Sequence, residues 1–213
     1  MKKYTLCVFL SASLFLAGCG IPTVKGKITS QKAGAEIPDI IAVLPPENQS
    51  NDLTAVEVIQ RSGGAMAVSK GYYALANKAQ DELLRKMGIT DGGQLKAYKS
   101  SDICKNLGVQ GLLYSTVEDF NEINIGFWMS KKVKVIYTLV DENGDKLWEG
   151  ESFYRIRNLV LSPSDAAQAF VQRKVGELVE KALRVHLVPE ANMSAMKLGE
   201  QITPWPNEKE GNK

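Results

Sequence analysis

The dipeptide Asn143-Gly144 stands between two extended runs, residues 132–142 and 145–155, and no other feature restricts the fold as much. Two alternating runs joined by so short a polar step make a hairpin, and Asn-Gly suits the type I′ turn, whose two central residues need positive φ. A two-residue loop pairs Glu142 with Asp145. Counting outward sets Leu139 opposite Trp148, Val135 opposite Ser152 and Val133 opposite Tyr154, with Tyr137 on the same face. The other face receives Lys132, Lys134, Thr138, Glu149, Glu151 and Arg155, and keeps Ile136 and Phe153 as apolar exceptions. A slip of one residue would set Val135 against Glu151, so burial of one face enforces this register.

Other segments punctuate themselves. "IIAVL", closed by Pro45 and Pro46, reads as a strand buried on both faces. Asp52 can cap a helix running to about Val68, weakened by roughly 1 kcal/mol at each of Gly63 and Gly64. A short strand over 72–76 follows, then "NKAQDELLRKMG", with Asn77 as cap, Gln80 three residues on and Gly88 as stop. A helix over 101–107 ends at Gly108, and "LLYSTVEDF" leaves it as a strand. The last helix opens at Ser162, Pro163 and Asp165. It carries Ala167, Val171, Val175, Leu178, Ala182 and Val185 at helical spacing and stops at Pro189. This order specifies an α/β sandwich, one domain over 38–189, with a mixed sheet of about five strands covered by helices.

Ahead of the domain, Lys2 and Lys3 precede an apolar run over 6–16, which is shorter than the roughly 20 residues of a spanning helix and reads as a secretory signal. Leu16, Ala17, Gly18 and Cys19 resemble a bacterial lipobox. That resemblance implies a signal peptide over 1–18, cleavage before Cys19, and acylation that makes Cys19 a membrane anchor rather than a catalytic thiol. Stable anchoring takes at least two chains, which a lipobox cysteine receives. It also implies, from Gly20 in place of an Asp, retention at the outer membrane with the domain facing the periplasm. Residues 19–37 hold few large apolar side chains and read as a flexible tether, at most roughly 60 Å long when extended. Residues 190–213, with Pro204 and Pro206, read as a disordered tail.

Several function classes are excluded by what remains. Removing Lys2 and Lys3 with the leader leaves basic and acidic residues balanced at 24 each, without the basic excess that nucleic acid requires. Cys7 leaves with the leader and Cys19 becomes a thioether, so Cys104 has no intrachain partner and reads as a buried small hydrophobe. His186, the lone histidine, suits a helix end better than a ligand set, and no metal or cofactor is expected. "RSGGAMAVSK" lacks the order of a phosphate loop. Glu118 and Asp119, adjacent on a strand, are expected on opposite faces and so not as a catalytic pair. No active site is legible, and the chain reads as a non-enzyme.

"IIAVLPPENQS", "GYYAL", "LGVQGLLYSTVEDF" and "VDENGDKLWEGE" resemble, in this order, a family of bacterial lipoproteins of unknown function known for a meningococcal vaccine-candidate antigen. The likeness spans about 39–154. It implies a fold like the TolB N-terminal domain, distantly like CsgG-type secretion lipoproteins and the outer-membrane activators of peptidoglycan synthases, with no catalytic residues to carry over. The function expected is an outer-membrane-anchored assembly or scaffold factor that binds other envelope proteins. The alternative is a regulatory lipoprotein that activates a cell-wall synthesis enzyme. Homodimerisation follows from the resemblance and from open sheet edges.

One segment breaks the sorting rule. In "INIGFWMSKK", Phe127, Trp128 and Met129 are consecutive, so at least one points away from the core, and Lys131 and Lys132 follow. Either the aromatics fold back on the sheet, or an apolar tip flanked by lysines meets a partner or the membrane surface. Glu118, Asp119 and Glu122, inside the roughly 9 to 11 residues each strand would need, argue against a full transmembrane hairpin of the CsgG kind.

Overall fold

The computed structural model describes residues 20–75, 77–125, 128–159, 174 and 186–202. Leu16, Ala17, Gly18, Cys19 and Phe127 lie outside the described residues, as does the helix expected from Ser162 to the stop at Pro189, apart from Lys174 and its last residues from His186 on.

The order of elements is β1 (Thr23–Gln31), β2 (Ile40–Val43), β3 (Glu47–Asn48), α1 (Ala55–Ser69), β4 (Tyr73–Ala74) and α2 (Asn77–Lys86). A 3-10 turn (Gly92–Ala97), α3 (Ser100–Leu107), β5 (Gly111–Ile125), β6 (Trp128–Asp141), β7 (Lys146–Leu159) and α4 (Val188–Gly199) follow. The strands form one open mixed sheet of seven, in the order β1-β7-β6-β5-β2-β4, with β3 beside β5. Its long members are antiparallel, while β2 runs parallel to β5 and β4. β2 is buried on both faces, as its unbroken apolar run requires. Ile41 and Val43 point into the larger core, under α1 and α4, and Ala42 and Leu44 into a smaller one, with Leu84, Leu95, Ile103 and Leu107.

Seven strands replace the expected five because β1 and β3 were not legible. β1 occupies the stretch expected to be a tether: Val24 and Ile28 face inward, and Gly26 lets α4 close on the strand, since a Cβ there would lie 2.2 Å from the Leu198 nitrogen. The expected tail holds α4, which buries Ala191, Ala195 and Leu198 on the sheet. Pro189, read as a stop, sits in the first turn of α4, where its missing N–H costs nothing. Asp52 does not cap α1 itself; Thr54 holds the cap position, and the Asp52 carboxylate accepts from its backbone N–H at 2.8 Å.

The long hairpin keeps the expected register, Leu139 to Trp148, Val135 to Ser152 and Val133 to Tyr154, but reaches it by a different turn. Gly144 has φ 86° and Asn143 does not have positive φ, so the turn is not type I′. Asp141 and Asp145 close a loop of Glu142, Asn143 and Gly144, and the Asp141 carboxylate accepts from the N–H of Asn143 and Asp145, both at 2.9 Å. The extra loop residue is compensated by a bulge near Leu147, where the pairing shifts between Leu139 and Val140. Leu147 and Trp148 are consequently both buried, although consecutive.

Candidate functional site

Four strand ends meet along one rim of the sheet. The pairing of Thr23 with Arg155 is continued by the Gly20 N–H, which donates to Asn158 Oδ1 at 3.0 Å. Asn158 pairs with Met129 and Leu159 with Trp128, while Met129 pairs with Asn124 and Trp128 with Ile125. The residue next to Cys19 therefore lies on the same rim as the tip of the β5–β6 hairpin. Gly20 is wedged there: a Cβ would sit 2.0 Å from the Arg157 carbonyl oxygen. No slack tether exists between Gly20 and the sheet.

The rim is apolar in a way only partly expected. Ile21, Ile123 and Ile125 are 87%, 49% and 59% exposed, whereas Trp128 and Met129 are half-buried, so among the described residues the tip's exposed apolar surface comes from isoleucines and not chiefly from Trp128. Alternation along the strands, and the pairs Ile123 to Ser130 and Ile125 to Trp128, put Ile123, Ile125 and Trp128 on one face of the sheet. Lys132 shares that face and pairs with Asp119, and Lys134 joins Glu118 at 2.6 Å. Glu118 and Asp119 thus do not lie on opposite faces. A bulge between Val117 and Asp119 inserts one residue, so Val117 and Phe120 both reach the core and both carboxylates face the lysines.

Lys131 points the other way. Its ammonium lies 3.1 Å from Glu190 and 3.6 Å from Glu122, with its side chain only 14% exposed. His186 stands next to this group, its Nε2 3.4 Å from Asp52 and its Nδ1 3.6 Å from Glu122, with the Phe120 ring edge-on at 5.9 Å between centroids. Beside the outer edge of β5, where β3 stops, these residues border a cleft of about 600 Å³ lined by Asp52, Glu118, Asp119, Phe120, Glu122 and His186. This acidic cleft with its histidine was missed in the sequence because its parts come from three distant segments. Its hydroxyls are engaged within their own loop: Ser50 Oγ bonds Asn48 Oδ1 at 2.7 Å, and Thr54 Oγ1 donates to Asp52 Oδ1 at 2.7 Å.

Cys104 is buried in the smaller core, as expected. Burial, with Glu142 and Asp141 adding to it, pushes its thiol up to about 11. Among the described residues no cluster of metal-ligating side chains is found, and no helix is long and apolar enough to cross a membrane.

The GNA1162-like lipoprotein family profile matches residues 31–191. A lipoprotein of Neisseria meningitidis serogroup B, NMB1124/NMB1162, is 27% identical over 152 residues, covering 70% of each chain. The crystal structure of lipoprotein GNA1162 from Neisseria meningitidis superposes with a TM-score of 0.53 at 24% identity, over 67% of this chain and 99% of that one. The PelC dodecamer from Paraburkholderia phytofirmans gives 0.48 at 15% identity, over 85% of this chain and 97% of that one. With three quarters of its length inside one family profile and a fold similar to that of a solved member, the chain belongs to the GNA1162-like family of lipoproteins.

Proposed function

We propose that this lipoprotein is an assembly or scaffold factor, acylated at Cys19 and held at the periplasmic side of the outer membrane, which acts by binding other envelope proteins rather than by catalysis. The observation that carries this reading is the missing spacer. Only Gly20, Ile21 and Pro22 separate Cys19 from β1, about 10 Å of chain, and Gly20 is already bonded to Asn158. A regulator of an enzyme in the opposite membrane needs reach, and this domain has none, which favours local assembly over remote activation.

The binding surface offered is the outer edge of β1, nine residues that among the described residues have a strand partner on one side only, blunted by Lys25 and Lys27. A binding role is also favoured by the cleft. Its acids are matched by lysines and His186, and its hydroxyls are spent inside their own loop. Packing alone forbids a side chain at position 20, so the absence of Asp there needs no sorting explanation, and the membrane assignment is best put to fractionation.

The test joins two measurements. Density fractionation of envelopes is expected to find the native chain in the outer membrane and Cys19→Ser soluble or unprocessed. A photocrosslinking residue at Thr29 on the β1 edge is expected to give discrete adducts with envelope proteins or a second copy, and the same residue at Asn143 none. Processed, membrane-bound Cys19→Ser would sink the anchor. A silent β1 edge would sink the scaffold reading, and an adduct to a cell-wall synthesis enzyme would replace it with the regulator.

A further inference from the structure

Gly20, the residue after the proposed anchor, and the most exposed isoleucines of the sheet share one rim. Gly20 is bonded to Asn158, whose strand neighbours are Met129 and then Asn124. From β1 across β7 and β6 to β5 is three strand spacings, about 14 Å. With no slack after Cys19, the acyl chains enter the bilayer within that distance of Ile123 and Ile125. We propose that the rim formed by Ile21, Ile123, Ile125 and Trp128 rests in the headgroup layer of the bilayer that holds Cys19. The lipid surface is then a second, noncovalent contact that fixes the tilt of the domain. This inference rests on the anchor reading above and deepens it.

Three further observations favour lipid as the occupant. The exposed side chains are those that gain most from partial insertion: three isoleucines, with an indole behind them suited to the polar-apolar boundary. Among the described residues the carboxylates nearest the rim are matched across the strands, Glu122 by Lys131, Asp119 by Lys132 and Glu118 by Lys134, so these acids do not repel an anionic surface. Arg157 is exposed and lies opposite Ser130 on the same face as Ile123 and Ile125, placed to meet a lipid phosphate. A protein docking on this rim would have to wedge itself between the domain and the membrane to which it is tied. Insertion is limited to the rim, because the paired ions begin at Glu122, one residue from Ile123.

The test uses the full acylated chain in vesicles of phosphatidylethanolamine and phosphatidylglycerol, with no other protein. An environment-sensitive fluorophore is attached through Ile125→Cys, or through Asn143→Cys at the opposite end of the sheet. Cys104, buried and with its thiol pushed up to about 11, stays unlabelled. The expected result is a blue-shifted emission at position 125 that shallow-quencher lipids extinguish, a water-like emission at 143, and loss of the shift at 125 when Ile123→Ser and Trp128→Ser are added. Mass measurement of the N-terminal peptide and vesicle flotation report on the anchor separately. An unacylated chain that fails to float overturns the anchor reading. An acylated, floating chain whose position 125 stays as water-exposed as 143 overturns this proposal alone. A shift that appears equally without vesicles and grows with protein concentration assigns the rim to a second copy, and also overturns it.

Discussion

Two adjacent lysines show how far neighbouring side chains can differ in what they do. Lys131 meets the carboxylate of Glu190, a residue 7% exposed, while Lys132 meets Asp119 at the surface. Removing one member of a largely buried pair strands the other's charge, whereas a pair more open to water contributes less, so Lys131→Ala is expected to cost about 3 kcal/mol and Lys132→Ala no more than about 1. Urea denaturation of both variants decides it; equal costs would mean that Glu190 finds compensation elsewhere. In the sequence both lysines read alike, as flanks of an apolar tip, because nothing in "SKK" announces that one faces α4. Cys104 was legible, and its burial has a pH signature. Its thiol ionises near 9.0 when unfolded and near 11 when folded, so ionisation favours the unfolded chain. The contribution is fully present below pH 9 and is lost as pH rises through 11, at about 1.4 kcal/mol per unit. Stability curves from pH 8 to 11 should show this extra slope in the native chain and not in Cys104→Ala.

Elements were legible where burial is lopsided and opaque where side chains are small. The β6–β7 register survived a wrong turn type because Val133, Val135 and Leu139 must all face one core; the bulge near Leu147 corrects the count. β1, "TVKGKITSQ", was missed because only Val24 and Ile28 carry apolar signal. α4 was missed because Ala191, Ser194 and Ala195 are buried yet barely hydrophobic. Small residues are what the packing needs. Gly26→Val drives a side chain into the α4 backbone and is expected to cost roughly 1–3 kcal/mol by overpacking. Gly64→Ala, inside α1 with nothing within 4 Å of the added carbon, is expected to gain about 0.5–1 kcal/mol. Thermal melts of the two variants should shift in opposite directions. A Gly26→Val melt at the native temperature would deny the close approach of β1 and α4.

At the scale of the molecule, the folded unit is larger than the sequence suggested at both ends, because a strand and a helix from the expected linkers complete the larger core. Ending the chain after Pro189 removes Ala191, Ala195, Leu198 and Ile202, all 5% exposed or less. Their combined burial is comparable to the 5–15 kcal/mol margin of a typical domain, so this truncation is expected to abolish cooperative unfolding by near-ultraviolet circular dichroism. A sharp, native-like transition would make α4 dispensable. On the proposed cleavage and acylation at Cys19, the wedged Gly20 also sets an order of events in biogenesis. A signal peptidase must hold the residues around its cleavage bond extended in its own cleft, and Gly20 cannot be there while bonded to Asn158, 138 residues further along the chain. That partner emerges from the export channel long after Gly20 does. With acylation at Cys19 as proposed, modification fills this interval, and β1 closes onto β7 only afterwards. The last seam of the sheet is then sewn with the lipid already in place, so the bilayer is present as the domain finishes folding.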